Sequence, residues 1–213
     1  MSDAYEFGYP RQCNVCETVP GDPGRALNVG PFYRPGDSFR LMLIGQDPTI
    51  RKRPERVSQV LMLDQPNGQL SRWLRDLLGD NAFNRITIYA TNVVKCSFPK
   101  PPSDMGGYRF LKPYSNNCRR HLVQEVACFR PALVISLGEP SHKIFRAMLD
   151  KPELTDEAMQ DAFTGNFAQV SIEGVHFAYT PCLHIQTFRV AETYGSRVMA
   201  FREGLKQHLS NSE

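Results

Sequence analysis

The chain has 213 residues, of which 41% are hydrophobic and 22% charged, the length and composition of one globular domain with a sizeable core. No apolar run approaches the roughly 18 residues of a membrane span, and the start, MSDAYEFGYPRQC, has neither the basic nor the apolar stretch of a secretory signal, so a cytoplasmic protein with no membrane partner is expected. A formal net charge of +3 does not by itself point to nucleic acid.

In chain order, the first regular element is a strand at 39–45, the apolar run Leu41-Met42-Leu43-Ile44 that ends in Gly45-Gln46-Asp47-Pro48. A short aliphatic run bounded by turn residues reads as a strand buried on both faces, with its turn at the strand's carboxyl end, where open α/β sheets bind ligands. A helix follows at 68–79, with Leu70, Trp73, Leu74, Leu77 and Leu78 on one face and Gly79 at its end, so Trp73 is expected in the core. Next come a strand at 86–94 and a loop at 97–114 that holds four prolines and two glycines. A helix at 115–129 starts after Pro113, with Cys118 in its first turn and Leu122, Val123 and Val126 inward. Beyond it lie a strand at 132–137, a helix at 139–149, an edge-strand pattern at 167–172, a strand at 175–180 and a helix at 192–209.

The alternation of strands and helices predicts an α/β fold, a three-layer α/β/α sandwich around a central, mainly parallel four-stranded sheet. A single domain over 1–213 is expected, with the N-terminal cysteine loop 1–38 packed on it. Basic residues cluster where ligands would bind: Arg51, Lys52, Arg53 and Arg56 follow the Gly-Gln-Asp-Pro turn, and Lys95 and Lys100 follow the second strand. Charge alone fits either a nucleic-acid surface or an ordinary solvated loop.

Cysteines stand at 13, 16, 96, 118, 128 and 182. A chain of this size without a secretory signal needs no disulfide framework. Cys13 and Cys16 form a C-x-x-C in a Gly- and Pro-rich loop rather than after a strand, and with Cys96 and Cys118 they suffice for a four-thiolate site. Such a set suits structural zinc or an iron–sulfur cluster; the wide spread of the second pair favours a 4Fe-4S cubane that ties the N-terminus to the sheet. The alternative is that Cys96 and Cys118 are ordinary buried thiols, as Cys128, on the helix's apolar side, is expected to be.

The C-x-x-C, LIGQDP at 43–48, GQLSRWLRDLL at 68–78, YATNVVKC at 89–96, PALVISLG at 131–138 and FAYTPCLH at 177–184 together resemble the uracil-DNA glycosylase superfamily, and within it the iron–sulfur branch, family 4 or 5. The likeness covers roughly residues 10–205. Thr-Asn-Val-Val-Lys-Cys is specific to that branch, whereas Gly-Gln-Asp-Pro looks like the water-activating motif of the family 1 enzymes. The resemblance implies a monofunctional DNA glycosylase that flips uracil, or a related deaminated base, out of single- or double-stranded DNA and hydrolyses its glycosidic bond, acting as a monomer.

By the same resemblance Asp47 activates water or faces the sugar cation, with Gln46 beside it, Gly45 leaving room for the base and Pro48 fixing the turn. Asn92 reads the base: its amide can donate to uracil O4 and accept from N3–H, and a mismatch with cytosine costs roughly 1–3 kcal/mol. Read alone, Asp47 also suits an Asx turn or a cap, and Asn92 the cap of a strand end. The branch's usual His-Pro-Ser is replaced, so that Thr180 stands in the histidine's place with His184 four residues on; the base-stacking Phe is replaced by Leu63, with Phe98 as a substitute from another side. Arg51, Lys52 and Arg53 are expected on phosphates, opposite Gln186, Thr187 and Arg189, and Leu183 or the residues after it in the gap left by the flipped base. The rival readings are a superfamily member that binds DNA or a damaged base without cutting, an enzyme for another base such as hypoxanthine, and a zinc-stabilised protein unrelated to DNA.

Overall fold

The computed structural model describes residues 4–11, 13, 15–18, 29–37, 39–48, 58–98, 100–150, 163–184 and 195–210. Its strands are β1 (Phe32–Arg34), β2 (Arg40–Gly45), β3 (Thr87–Asn92), β4 (Leu133–Leu137), β5 (Ala168–Ile172) and β6 (Val175–Cys182). They form one sheet in the order β1-β3-β2-β4-β6-β5. The four inner strands run parallel, as expected, while β1 pairs antiparallel with β3 and β5 antiparallel with β6. The sheet is therefore mixed and six-stranded rather than four-stranded. The edge pattern at 167–172 is β5. β1 lies inside the stretch expected to be cysteine loop, and its three half-buried residues offer no alternation to read.

Helices are α1 (Gln69–Leu78), α2 (Asp80–Arg85), α3 (Tyr108–Phe129), α4 (Glu139–Arg146) and α5 (Gly195–Ser210). Gly79, at φ 79°, ends α1 and opens α2. α3 begins seven residues before the expected start and contains Pro113, so Cys118 sits near the middle of the helix and not in its first turn. Proline at this depth forfeits one ladder bond, to the carbonyl four residues back, which the rest of a long buried helix offsets. The chain is turned into α3 by Gly106 and Gly107, at φ 104° and 61°, a conformation that favours glycine.

Alternation along the inner strands divides the core in two. Leu41, Leu43, Ile88, Ala90, Leu133 and Ile135 pack under α1 and α5 with Trp73, Leu74, Leu77 and Phe201. Met42, Ile44, Tyr89, Val134 and Tyr179 pack under α3 and α4 with Leu122, Val126, Phe129 and Phe145. Burial on both faces is why these strands read as unbroken aliphatic runs. Trp73 belongs to the first core, as expected. Cys128 does not meet its expectation: it is exposed, because the inward stripe of α3 runs through Leu122, Glu125, Val126 and Phe129 and position 128 falls off it. Among the described residues no helix is long and apolar enough to cross a membrane.

Leu74, fully buried in the first core, supports α1 against the sheet. Leu74→Ala is expected to lower stability by about 2–5 kcal/mol, measured by urea unfolding.

Candidate active site

The parallel pairing of β2 with β3 ends with Gly45 opposite Asn92. Two further bonds continue it past the strands, from Val93 N–H to the Gly45 carbonyl at 2.9 Å and from Val94 N–H to the Gln46 carbonyl at 3.0 Å. Asn92 is fully buried, yet among the described residues neither its Nδ2 nor its Oδ1 has a hydrogen-bond partner. An amide in that state is costly unless something else satisfies it. A Cβ on Gly45 would stand 2.3 Å from Asn92 Oδ1 and 2.8 Å from Leu61 Cδ2, so only glycine leaves the amide where it is.

Leu61 was not singled out from sequence. It and Met62 hold left-handed backbone, at φ 60° and 50°, in a segment tied to Gly30 by bonds of 2.8 and 3.1 Å. Leu63, expected in the base-stacking place, instead lines a cavity of about 260 Å³ with Phe32, Ser71 and Phe83. Phe98 is buried against Phe110 and Tyr114, at centroid distances of 5.0 and 4.9 Å, in the opposite core.

Gln46 Nε2 donates to Asp47 Oδ1 at 2.7 Å, and Asp47 and Pro48 are buried. The strand registers set Thr180 level with Ile135 and Leu43, and Cys182 level with Leu137. Thr180 therefore shares the α1 face with Asn92 but lies two residues, roughly 7 Å, behind the sheet's edge. It is fully buried, and among the described residues its hydroxyl reaches the Pro181 carbonyl alone, at 3.4 Å. His184 is exposed at the edge, beside Gly138, the residue before α4. Leu183 is 5% exposed and packs in the first core, so here its side chain is a core group and not a protruding wedge. Arg51, Lys52, Arg53, Arg56, Gln186, Thr187 and Arg189 lie outside the described residues.

Lys95 departs from its expectation most. Instead of adding to a surface cation cluster, it is 1% exposed. Its Nζ donates to Thr91 Oγ1 at 2.6 Å, to the Asn92 carbonyl at 2.7 Å and to Glu125 Oε2 at 3.0 Å. Burial pushes the Glu125 carboxyl up and the Lys95 ammonium pulls it back. A second buried network lies behind the edge on the same face: Tyr179 Oη is 2.7 Å from both Ser136 Oγ and His142 Nδ1, joining β4, β6 and α4. Nothing in the local sequence marks either network, since Glu125 reaches Lys95 from α3 and Ser136, His142 and Tyr179 come from β4, α4 and β6.

Cys16, Cys96 and Cys118 are buried and Cys13 is half-buried. The Cys16 and Cys96 thiols are within hydrogen-bond reach, and Cys13 and Cys118 also act on Cys96, whose thiol is pushed up by burial first and by these neighbours next. Burial pushes Cys118 up to about 11, against the Lys95 amide and ammonium, which draw it down; the Lys95 N–H lies 3.4 Å from its Sγ. Asn117 Nδ2 donates to Cys16 Sγ at 3.8 Å. In chemistry the donor set fits a thiolate-bound group: soft ligands, buried, with N–H donors aimed at sulfur. In geometry, among the described residues, no three His, Cys, Asp or Glu side chains converge as ligands. Cys182 lies in the other core.

Gly45→Ala is expected to displace the Asn92 amide and to cost about 1–3 kcal/mol of stability. A shifted Asn92 side-chain NH₂ resonance together with a lower unfolding midpoint checks both parts.

No curated protein matches the chain. The sequence profile described as the Uracil DNA glycosylase superfamily matches residues 32–197, a span that runs from β1 into α5 and includes the Gly45–Asn92 edge, Lys95, Cys96 and Cys118. With the match extending over well more than half of its length, the chain belongs to the uracil-DNA glycosylase superfamily.

Proposed function

We propose that the protein is a monofunctional DNA glycosylase of the iron–sulfur branch, which flips uracil or a related deaminated base and hydrolyses its N-glycosidic bond. The observation that carries this reading is the buried amide of Asn92, unpartnered among the described residues, beside a residue that must be glycine. A flipped uracil would satisfy both ends of that amide, O4 accepting from Nδ2 and N3–H donating to Oδ1, whereas cytosine presents the opposite pattern. Leu61, in contact range of the same glycine position, gives the pocket an apolar side.

In the reaction, water oxygen bonds to C1′ as the bond from C1′ to the base nitrogen breaks and the base leaves as an anion. Asp47 takes the water's proton and sets negative charge beside the developing sugar cation. Gln46 occupies Asp47 Oδ1, which orients the carboxylate. His184 is the edge residue suited to donate to the departing base's O2. Thr180, one layer back, acts on it only through a shift of β6 or an intervening water. Membership of the superfamily implies DNA as the partner, and Arg51, Lys52, Arg53 and Arg189 are proposed for its phosphates.

Cys13, Cys16, Cys96 and Cys118 would hold the 4Fe-4S cluster, or a structural zinc ion, and the bound group would supply a cross-link among the N-terminal segment, the exit of β3 and α3. Cys118→Ala is expected to give unstable, colourless protein; a brown, well-folded Cys118→Ala variant contradicts the cluster.

A second reading draws on the deep burial of Thr180: a superfamily member that binds a damaged base without cutting. Base release from a labelled single-stranded oligonucleotide carrying one uracil, with hypoxanthine and cytosine controls, separates the two. Release is expected from uracil, with Asp47→Asn slower by about 10²–10⁴-fold and still able to bind DNA. Binding without release from any oligonucleotide overturns the enzymatic reading in favour of the second.

A further inference from the structure

We propose that Lys95 is a positioning residue that holds the end of β3, and with it the Asn92 amide and the Gly45–Gln46 turn, against the cysteine centre. The inference rests on the reading of Asn92 as the base-reading group. An ammonium has three donors, and all three are committed: to Thr91 Oγ1 at 2.6 Å, to the Asn92 carbonyl at 2.7 Å and to Glu125 Oε2 at 3.0 Å. Nothing remains for a phosphate or for proton transfer, and 1% exposure keeps the group away from solvent.

The other contacts of the same residue run in two directions. Its backbone N–H points to Cys118 Sγ at 3.4 Å, and Cys96 follows it directly in the chain. On the other side, the residues it grips lead into Val93 and Val94, whose N–H groups bond the Gly45 and Gln46 carbonyls at 2.9 and 3.0 Å. Beyond Asn92 no described residue is strand or helix until Pro102, so past those two bonds no ladder fixes the segment. Lys95 supplies that restraint from within, bending back over its own segment while Glu125 of α3 holds the ammonium in place.

An ion pair serving stability alone would be replaceable by apolar groups of similar volume, since buried pairs repay little of their desolvation. A positioning role would not, because no apolar side chain can bond the Asn92 carbonyl. The test is the double variant Lys95→Met with Glu125→Leu, which leaves no charge buried alone. Its melting temperature is expected to stay close to that of the wild type. Amide exchange at Val93 and Val94 is expected to rise by about tenfold or more, while Leu43 and Ile135 in the middle of the sheet keep their protection. Preference for uracil over cytosine in oligonucleotide binding is expected to fall with it.

Wild-type exchange rates at Val93 and Val94 in a double variant of normal melting temperature overturn the proposal and leave Lys95 as a structural pair. Should the double variant not fold, Glu125→Gln, which keeps the bond to the Asn92 carbonyl, must show wild-type exchange at both amides and Lys95→Met must not; equal rates overturn the proposal. Absence of any uracil preference in the wild type retires the reading of Asn92 instead, and the exchange rates still decide the role of Lys95.

Discussion

The structure turns on one contact: Gly45 at the end of β2, in register with Asn92 at the end of β3. Because Gly45 has no Cβ, a polar side chain fits fully buried at the sheet's edge with neither of its amide atoms bonded among the described residues. An unsatisfied amide in a folded interior signals a ligand more strongly than any exposed polar group does, since leaving it unpaired costs on the order of 1–3 kcal/mol. Everything near it serves to keep it there: the two bonds that extend the β2–β3 pairing, the left-handed turn that brings up Leu61 and the Lys95 ammonium on the strand's last carbonyl.

The sheet separates two tasks. Toward α1 and α5 its face carries Asn92 and Gly45 at the edge and Thr180 behind them. Toward α3 and α4 it carries Tyr179 and Ser136, which meet His142 of α4, and on that side lie the Lys95–Glu125 pair and Cys16, Cys96 and Cys118. The exit of β3 is where the two meet, since Asn92 and Lys95 are three residues apart and their side chains serve opposite faces. A disturbance on the cysteine side thus has a short covalent and hydrogen-bonded route to the base-reading side.

The four inner strands were legible because burial on both faces leaves unbroken aliphatic runs, and α1 because its stripe ends cleanly at a glycine. β1 was not, being three residues long, and the start of α3 was misplaced because Pro113 reads as a beginning although the helix runs through it. Composition marks Lys95 as a surface cation; its burial depends on Glu125, 30 residues away, which no local pattern discloses. The sequence motif that carries the family likeness named the Gly45–Asn92 pair. It could not show that Leu61 rather than Leu63 meets it, because left-handed backbone at two successive non-glycine residues has no signature in a sequence. Nor could it show the depth of Thr180, which is a matter of register between β4 and β6.

The central claim is that the Asn92 amide reads the edge of a flipped base. Its most direct test is the Asn92 side-chain NH₂ resonance in ¹⁵N-labelled Asp47→Asn protein, followed as single-stranded oligonucleotides carrying one uracil, or cytosine in its place, are added. If Asn92 bonds the base, the resonance moves with the uracil oligonucleotide and stays with the cytosine one. An unmoved resonance in protein saturated with the uracil oligonucleotide contradicts it.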